Sequence, residues 1–227
     1  MFVRSRVRSP KTAPVTELPA GTRVSGIVPD ARHPGTVRIE VGGKALLTVP
    51  STALERLGVA VGAVLETKTY QELCKSADGE AAFRSALTFL ARRPFSRRDL
   101  ARRLVMRGHP PDAADQAVAR AETSGLVNDE TYTRHYVQTR TARGRGPMRL
   151  RRELAVMGVA SAIIDRVLSE EAETADPGVV RSLARKRAAQ LGGLERQVRF
   201  RRVVAFLARR GYAGPDVRRV VREALQP

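Results

Sequence analysis

The most informative stretch of this chain contains the sequences GLVNDE (125–130) and GRGPMRL (144–150). Gly125 is typical of a helix C-cap, because glycine adopts the left-handed conformation without a Cβ clash. Asn128 is typical of the N-cap of the next helix, since its short side chain can accept the unpaired N–H groups of a first turn. The second sequence predicts a break between helices and a new helix that starts near Pro147.

Arginines are concentrated around this predicted break. Six of them fall between residues 139 and 152, and no acidic residue interrupts them before Glu153. A run of arginines is most often a solvated face, but its place at a helix end, a loop and a helix start favours a binding surface. Arg151 is set aside, because its position points toward the buried side of its helix. The candidates are Arg140, Arg143, Arg145, Arg149 and Arg152, with a second patch at Arg97, Arg98, Arg102 and Arg103.

Working outward, one spacing of apolar residues and glycine occurs three times. In each copy two apolar residues four apart are followed, four residues later, by a glycine. Such a stripe predicts a helix with a glycine C-cap, and further stripes on either side predict two more helices in each copy. We therefore expect three tandem three-helix repeats forming an elongated, curved array. The repeated positions are Leu100, Leu104 and Gly108; Leu150, Leu154 and Gly158; and Val203, Leu207 and Gly211.

The preceding part of the chain is predicted to be a small β-rich (α+β) domain. Its apolar segments are rich in Val, Ile and Thr, and Gly42-Gly43 is typical of a two-residue hairpin turn. Strands are predicted at residues 22–28, 36–41, 44–49 and 62–67. The fold class is thus mainly α, with a basic flexible tail at 1–20, the β-rich domain at 21–80, and repeats at 81–124, 125–174 and 175–227.

Charge separates these two parts. The chain carries a formal net charge of +18, of which residues 83–227 contribute +15, and Lys186 is the only lysine among their 30 basic residues. Guanidinium groups suit phosphate and carboxylate partners. The single cysteine, Cys74, excludes an intrachain disulfide and indicates a reducing compartment, so we expect a cytoplasmic protein. Apolar runs are too short for a membrane span.

No arrangement of residues predicts catalysis. Nucleophile–base sets, phosphate-binding glycine loops and metal-ligand spacings are missing from the sequence, so we expect no enzyme activity, no metal and no cofactor. The acidic cluster at residues 128–130 is explained by helix capping. A basic helical array indicates a surface that binds nucleic acid or an acidic protein groove. On these grounds a helix-turn-helix regulator that binds specific double-stranded DNA remains an alternative.

Three motifs in order resemble the RecX family of recombination regulators. They are AL-x2-LA-x-R (86–93) with S-x2-DL (96–100), GLVND (125–129) with Tyr132, and GRGP-x-RL-x2-EL (144–154) with GV (158–159). The resemblance covers about residues 83–226 and is weaker in the third repeat. It implies a non-enzymatic regulator that lies along the groove of the RecA–single-stranded DNA filament and lowers the ATPase, strand-exchange and coprotease activities of RecA.

The partners that we expect are therefore the RecA filament and single-stranded DNA, with double-stranded DNA as a further candidate, and the protein is expected to be a monomer. The arginine patches given above are then the expected contacts. Whether they touch mainly DNA or RecA stays open at this point, as does the role of the β-rich domain.

Overall fold

The computed structural model describes residues 18–19, 21–173, 176 and 178–226. The predicted basic tail therefore lies outside the described residues, apart from residues 18 and 19. Three strands come first: β1 (Gly26–Pro29), β2 (Thr36–Val41) and β3 (Lys44–Pro50). The helices of the described part are α1 (Ser51–Leu57), α2 (Thr67–Leu90), α3 (Arg97–Met106), α4 (Pro111–Thr123), α5 (Asp129–Thr141), α6 (Pro147–Val156), α7 (Ser161–Glu173), α8 (Gly178–Ala189), α9 (Arg196–Arg209) and α10 (Pro215–Ala224).

The strands form an antiparallel sheet in the order β1-β2-β3. The predicted hairpin turn is confirmed: Gly42 and Gly43 have φ angles of 56° and 74°, as a type I′ turn requires. Ile39 and Val49 are fully buried under the sheet and share a core cluster with Leu73 of α2.

The fourth predicted strand is wrong. Only Val64 forms a β-bridge, with Arg23. The chain turns just before it, where the Ala63 amide donates to the Ala60 carbonyl at 3.1 Å, and α2 begins at Thr67 just after it. The segment still contributes an apolar side chain to the core, since Leu65 is 4% exposed.

Helix α2 is 24 residues long, and its buried side changes along its length. Its first half buries Leu73 in the core of the sheet, while its second half buries Phe83 and packs on α4. The guanidinium carbon of Arg120, from α4, lies 3.8 Å from the centre of the Phe83 ring. Residues 80 and 81, between which a domain boundary is predicted, lie inside this continuous helix.

Three groups of three helices follow one another, as predicted: α2–α4, α5–α7 and α8–α10. The apolar pair of each middle helix (α3, α6 and α9) is at most 1% exposed, and the glycine that follows has a φ angle of 80° to 101°. The repeated spacing therefore marks a buried stripe and a left-handed C-terminal turn in every copy. The fold is mainly α, with three three-helix repeats after a small antiparallel sheet.

Contacts divide the chain into two compact units. The first comprises Met1–Arg93 with Leu100–Leu126, and the second comprises Pro94–Asp99 with Val127–Pro227. The first unit holds the sheet, α1, α2 and α4. The second unit holds the second and third repeats together with the start of α3.

Inside the second unit, the GRGP loop before α6 packs on the turn after α9. The Gly146 amide donates to the Arg210 carbonyl at 2.7 Å, and the Met148 amide donates to the Gly211 carbonyl at 3.2 Å. A Cβ on Gly146 would lie 2.5 Å from the Gly211 oxygen and 2.7 Å from the Tyr212 nitrogen. Glycine is therefore required where the two backbones meet.

A second contact of the same kind lies at the start of α3. The Ser96 hydroxyl donates to the Met157 carbonyl at 2.7 Å, in the turn after α6. A Cβ on Gly158 would lie 2.6 Å from the Arg98 Cβ. In both contacts, the turn after the middle helix of one repeat packs on the start of the middle helix of the preceding repeat.

Candidate nucleic-acid interface

The polar sequence at residues 128–130 is used to hold helices. The Asn128 side chain accepts from the Thr131 amide at 2.9 Å, which confirms the predicted N-cap of α5. A carboxylate oxygen of Asp129 accepts from the Arg97 amide at 2.8 Å and thus caps α3. Glu130 forms ion pairs with two arginines, Arg134 at 3.3 Å and Arg166 at 2.5 Å. All three side chains therefore have structural partners.

Glu153 gathers two of the predicted contact arginines. Nη1 of Arg145 donates to both carboxylate oxygens of Glu153, at 2.8 and 2.7 Å, and Nε of Arg149 donates at 2.9 Å. The Tyr136 hydroxyl donates to the same carboxylate at 2.8 Å. Burial alone would raise the pKa of Glu153, but the hydrogen bonds from Arg149, Tyr136 and Arg145 outweigh it and hold the pKa below its usual value.

The remaining predicted arginines of the second repeat form no ion pair among the described residues and are more available for binding a partner. The guanidinium of Arg140 lies 5.2 Å from the centre of the Tyr136 ring. Arg143 and Arg152 are exposed and have no side-chain partner among the described residues. Arg151, which was not among the predicted contact residues, pairs with Asp165 at 2.5 Å. The structure thus divides this set into free, stacked and already paired guanidinium groups.

The second predicted patch is divided between the two units. Arg97 and Arg98 belong to the second unit, whereas Arg102 and Arg103 belong to the first. Arg103 is half-buried and the other three are exposed. The stem of Arg98 packs over Gly158, so part of this side chain serves the contact between repeats.

The largest excess of positive charge lies in a repeat that the sequence analysis did not single out. Residues 125–174 hold eight basic and seven acidic residues, whereas residues 175–227 hold 13 basic and four acidic ones. A count of charges for each repeat, rather than for a run of arginines, would have shown this. Eight arginines of the third repeat are exposed and lack a side-chain partner among the described residues: Arg181, Arg185, Arg196, Arg201, Arg202, Arg209, Arg218 and Arg222.

Two features of the described residues bear on other classes of function. No group of three or more His, Cys, Asp or Glu side chains is placed to hold a metal ion in that part of the chain. Within the same residues, no helix combines the length and the apolar character that a membrane crossing needs.

Comparison with known proteins adds a family relationship. Family models for the first, second and third three-helix domains of RecX match residues 82–120, 128–168 and 179–221. The chain is 37% identical over 149 residues to the regulatory protein RecX of Streptomyces coelicolor, covering 65% of this chain and 79% of that protein. It is 35% identical over 142 residues to the RecX of Halorhodospira halophila, covering 63% of this chain and 87% of that protein.

Two crystal structures share the fold at 19% sequence identity. A regulatory protein RecX aligns with a TM-score of 0.76 over 89% of this chain and 99% of its own. RecX from Lactobacillus salivarius aligns with a TM-score of 0.59 over 65% of this chain and 96% of its own. The larger match extends beyond the three repeats, so part of the N-terminal region also has a structural counterpart.

Proposed function

This chain belongs to the RecX family of regulatory proteins, and from that premise we propose that it binds the RecA–single-stranded DNA filament and inhibits RecA. Inhibition would extend to the recombinase, ATPase and coprotease activities, and would thereby modulate DNA repair, homologous recombination and the SOS response. In this proposal the protein is a cytoplasmic monomer that acts by binding, without catalysis.

One observation carries this proposal: the unpaired guanidinium groups of the helical repeats. The third repeat combines 13 basic with four acidic residues, and the second repeat adds the exposed Arg143 and Arg152. Arginine binds phosphate and carboxylate through its planar fork of donors. A filament of single-stranded DNA and protein offers phosphates along its whole length, and each phosphate neutralised adds about −0.7 to the log–log salt slope.

The test is the rate of ATP hydrolysis by RecA on single-stranded DNA, with and without this protein, at about 50 and about 200 mM salt. We expect inhibition that weakens at the higher salt concentration. An unchanged rate at both salt concentrations would contradict the proposal. A gel shift that compares duplex DNA with preformed RecA filament separates it from the alternative of a sequence-specific regulator, which would prefer particular duplexes.

A further inference from the structure

A pocket in the third repeat gathers three arginines. It has a volume of about 550 Å³ and lies between α8, the first turn of α9 and the end of α10. That volume falls within the range of about 300–1,000 Å³ that is usual for ligand sites. No acidic side chain lines it. The guanidinium-bearing residues are Arg185 from α8 with Arg196 and Arg199 from α9.

These arginines have no counter-charge among the described residues. None of the three has a side-chain partner there, and the Nε atom of Arg199 is buried without a hydrogen-bond acceptor. A buried donor without an acceptor is costly, and like charges placed around one pocket repel each other. An oxyanion in the pocket would relieve the repulsion between these guanidinium groups.

The position of the pocket supplies an independent argument. In the two contacts between repeats, the start of a middle helix donates to oxygen atoms from another segment: the Met157 carbonyl and the Asp129 carboxylate at α3, and the Gly211 carbonyl at α6. At the start of α9, no described residue of another segment accepts from the first-turn amides. Its N-cap, Glu195, makes no side-chain capping bond.

Helix α9 also begins earlier than its counterparts. Its first residue, Arg196, stands seven positions before the buried Val203, whereas Arg97 stands three before Leu100. The additional turn is the part that carries Arg196 and Arg199. The start of α9 therefore presents guanidinium groups, in addition to the unpaired N–H groups of its first turn.

We propose that this pocket binds a phosphate group, held by Arg185, Arg196 and Arg199 at the start of α9. The phosphate belongs either to a polynucleotide backbone or to a small phosphate compound. The polynucleotide source rests on the proposed function, whereas the phosphate site itself does not. Arginine is suited to the task, since its fork of donors matches two oxygens of one phosphate.

The experiment uses the full chain and inorganic pyrophosphate, with binding measured by calorimetry. The pocket variant is R185Q/R196Q, and both residues are exposed, so the fold should tolerate it. The matched control is R32Q/K44Q, which removes the same charge from exposed positions of the N-terminal region, outside the pocket. We expect the pocket variant to lose about tenfold or more in affinity, while the control changes by about twofold or less.

Equal losses in the two variants would overturn the proposal, because binding would then follow net charge alone. The absence of pyrophosphate binding by the unaltered chain would overturn it as well. A parallel titration with a short oligothymidylate identifies the source of the phosphate. If the pocket variant weakens DNA binding more than the control does, the ligand is a polynucleotide; if it affects pyrophosphate alone, the ligand is a small phosphate compound.

Arg199→Met separates binding from a structural role. Because the buried Nε has no acceptor, we expect this variant to melt no lower than the unaltered chain without ligand, and to lose the stabilisation that pyrophosphate confers. A lower melting temperature with the pyrophosphate effect retained would contradict the proposal. A failure to inhibit RecA, with these results as expected, would count against the proposed function and leave the phosphate site standing.

Discussion

The amide of Gly146 donates a 2.7 Å hydrogen bond to the carbonyl of Arg210, 64 residues further along the chain. The GRGP loop therefore joins the second repeat to the third through its backbone. The two backbones can approach this closely because Gly146 has no Cβ.

Gly146→Ala should destabilise the second unit. The new Cβ would lie 2.5 Å from the Gly211 oxygen, and backbone atoms on both sides would have to move. Such crowding costs about 1–3 kcal/mol. Urea unfolding measures the loss, and Gly193→Ala is the control, since its Cβ would meet nothing within 4 Å. Equal stabilities of the two variants would mean that the repeats do not need this contact.

Glu153→Gln should lower stability at neutral pH by about 1–2 kcal/mol, because three charged or polar donors lose an ionised acceptor. The pKa of Glu153 is depressed in the folded protein. Its stabilising contribution is therefore present above the ordinary value of 4.5 and is lost as the pH falls through the folded-state pKa. Urea midpoints measured from neutral to acidic pH should fall less steeply for the variant than for the unaltered chain. Parallel curves would refute this role of Glu153.

Arg143→Glu with Arg152→Glu should weaken binding to the RecA filament without unfolding the protein. Both side chains are exposed and have no partner among the described residues. If each contacts one phosphate, the salt slope should become shallower by about 1.4. Arg145 and Arg149 are poorer choices for this test, because glutamate at either position would face Glu153.

The charge-matched control for this variant is Arg32→Glu with Lys44→Glu, at exposed positions of the N-terminal region. Filament binding measured by fluorescence anisotropy should be affected much less by the control. If both double variants bind equally well, the assignment of Arg143 and Arg152 to the contact surface is wrong.

The first unit should lose stability as the pH falls below about 6.5. His109 donates to or accepts from the Ser85 hydroxyl at 2.8 Å, and its burial, together with Arg107, lowers its pKa. The unfolded chain then binds a proton more readily than the folded one, so acid favours unfolding. His109→Gln should flatten the decline in urea midpoint between about pH 7.5 and about pH 5.5. An equal decline in the variant would assign the effect to other groups.

Local patterns predicted much of this fold, because they depend on neighbours in the sequence. The Leu150–Leu154 stripe, the Gly42-Gly43 turn and the Asn128 cap involve residues within a few positions of one another. The pairing of Arg145 with Glu153 depends on how the loop folds against α6, and the pairing of Gly146 with the turn at Gly211 depends on contact between two repeats. The sequence therefore predicted more arginines free to bind a partner around the GRGP loop than the structure shows.

The same limit applies to the fourth predicted strand and to the charge of the repeats. Residues 62–65 pair with residues 22–24 through backbone hydrogen bonds, but the turn before them and helix α2 after them limit this pairing to a single bridge. The acidic residues that balance the second repeat lie mostly on α7, some distance from the arginines in sequence. Their effect becomes visible only when the helices pack together.

Helix α2 belongs both to the core of the N-terminal sheet and to the first three-helix repeat. The family model of the first three-helix domain begins at residue 82, in the middle of a helix whose earlier turns are buried in the core of the sheet. The segment that matches the family model is therefore not the same as the segment that folds together. A version of this protein that kept only the three repeats would need a different first half for that helix. The sheet therefore supports the first repeat, since it covers the apolar side of the helix on which that repeat is built.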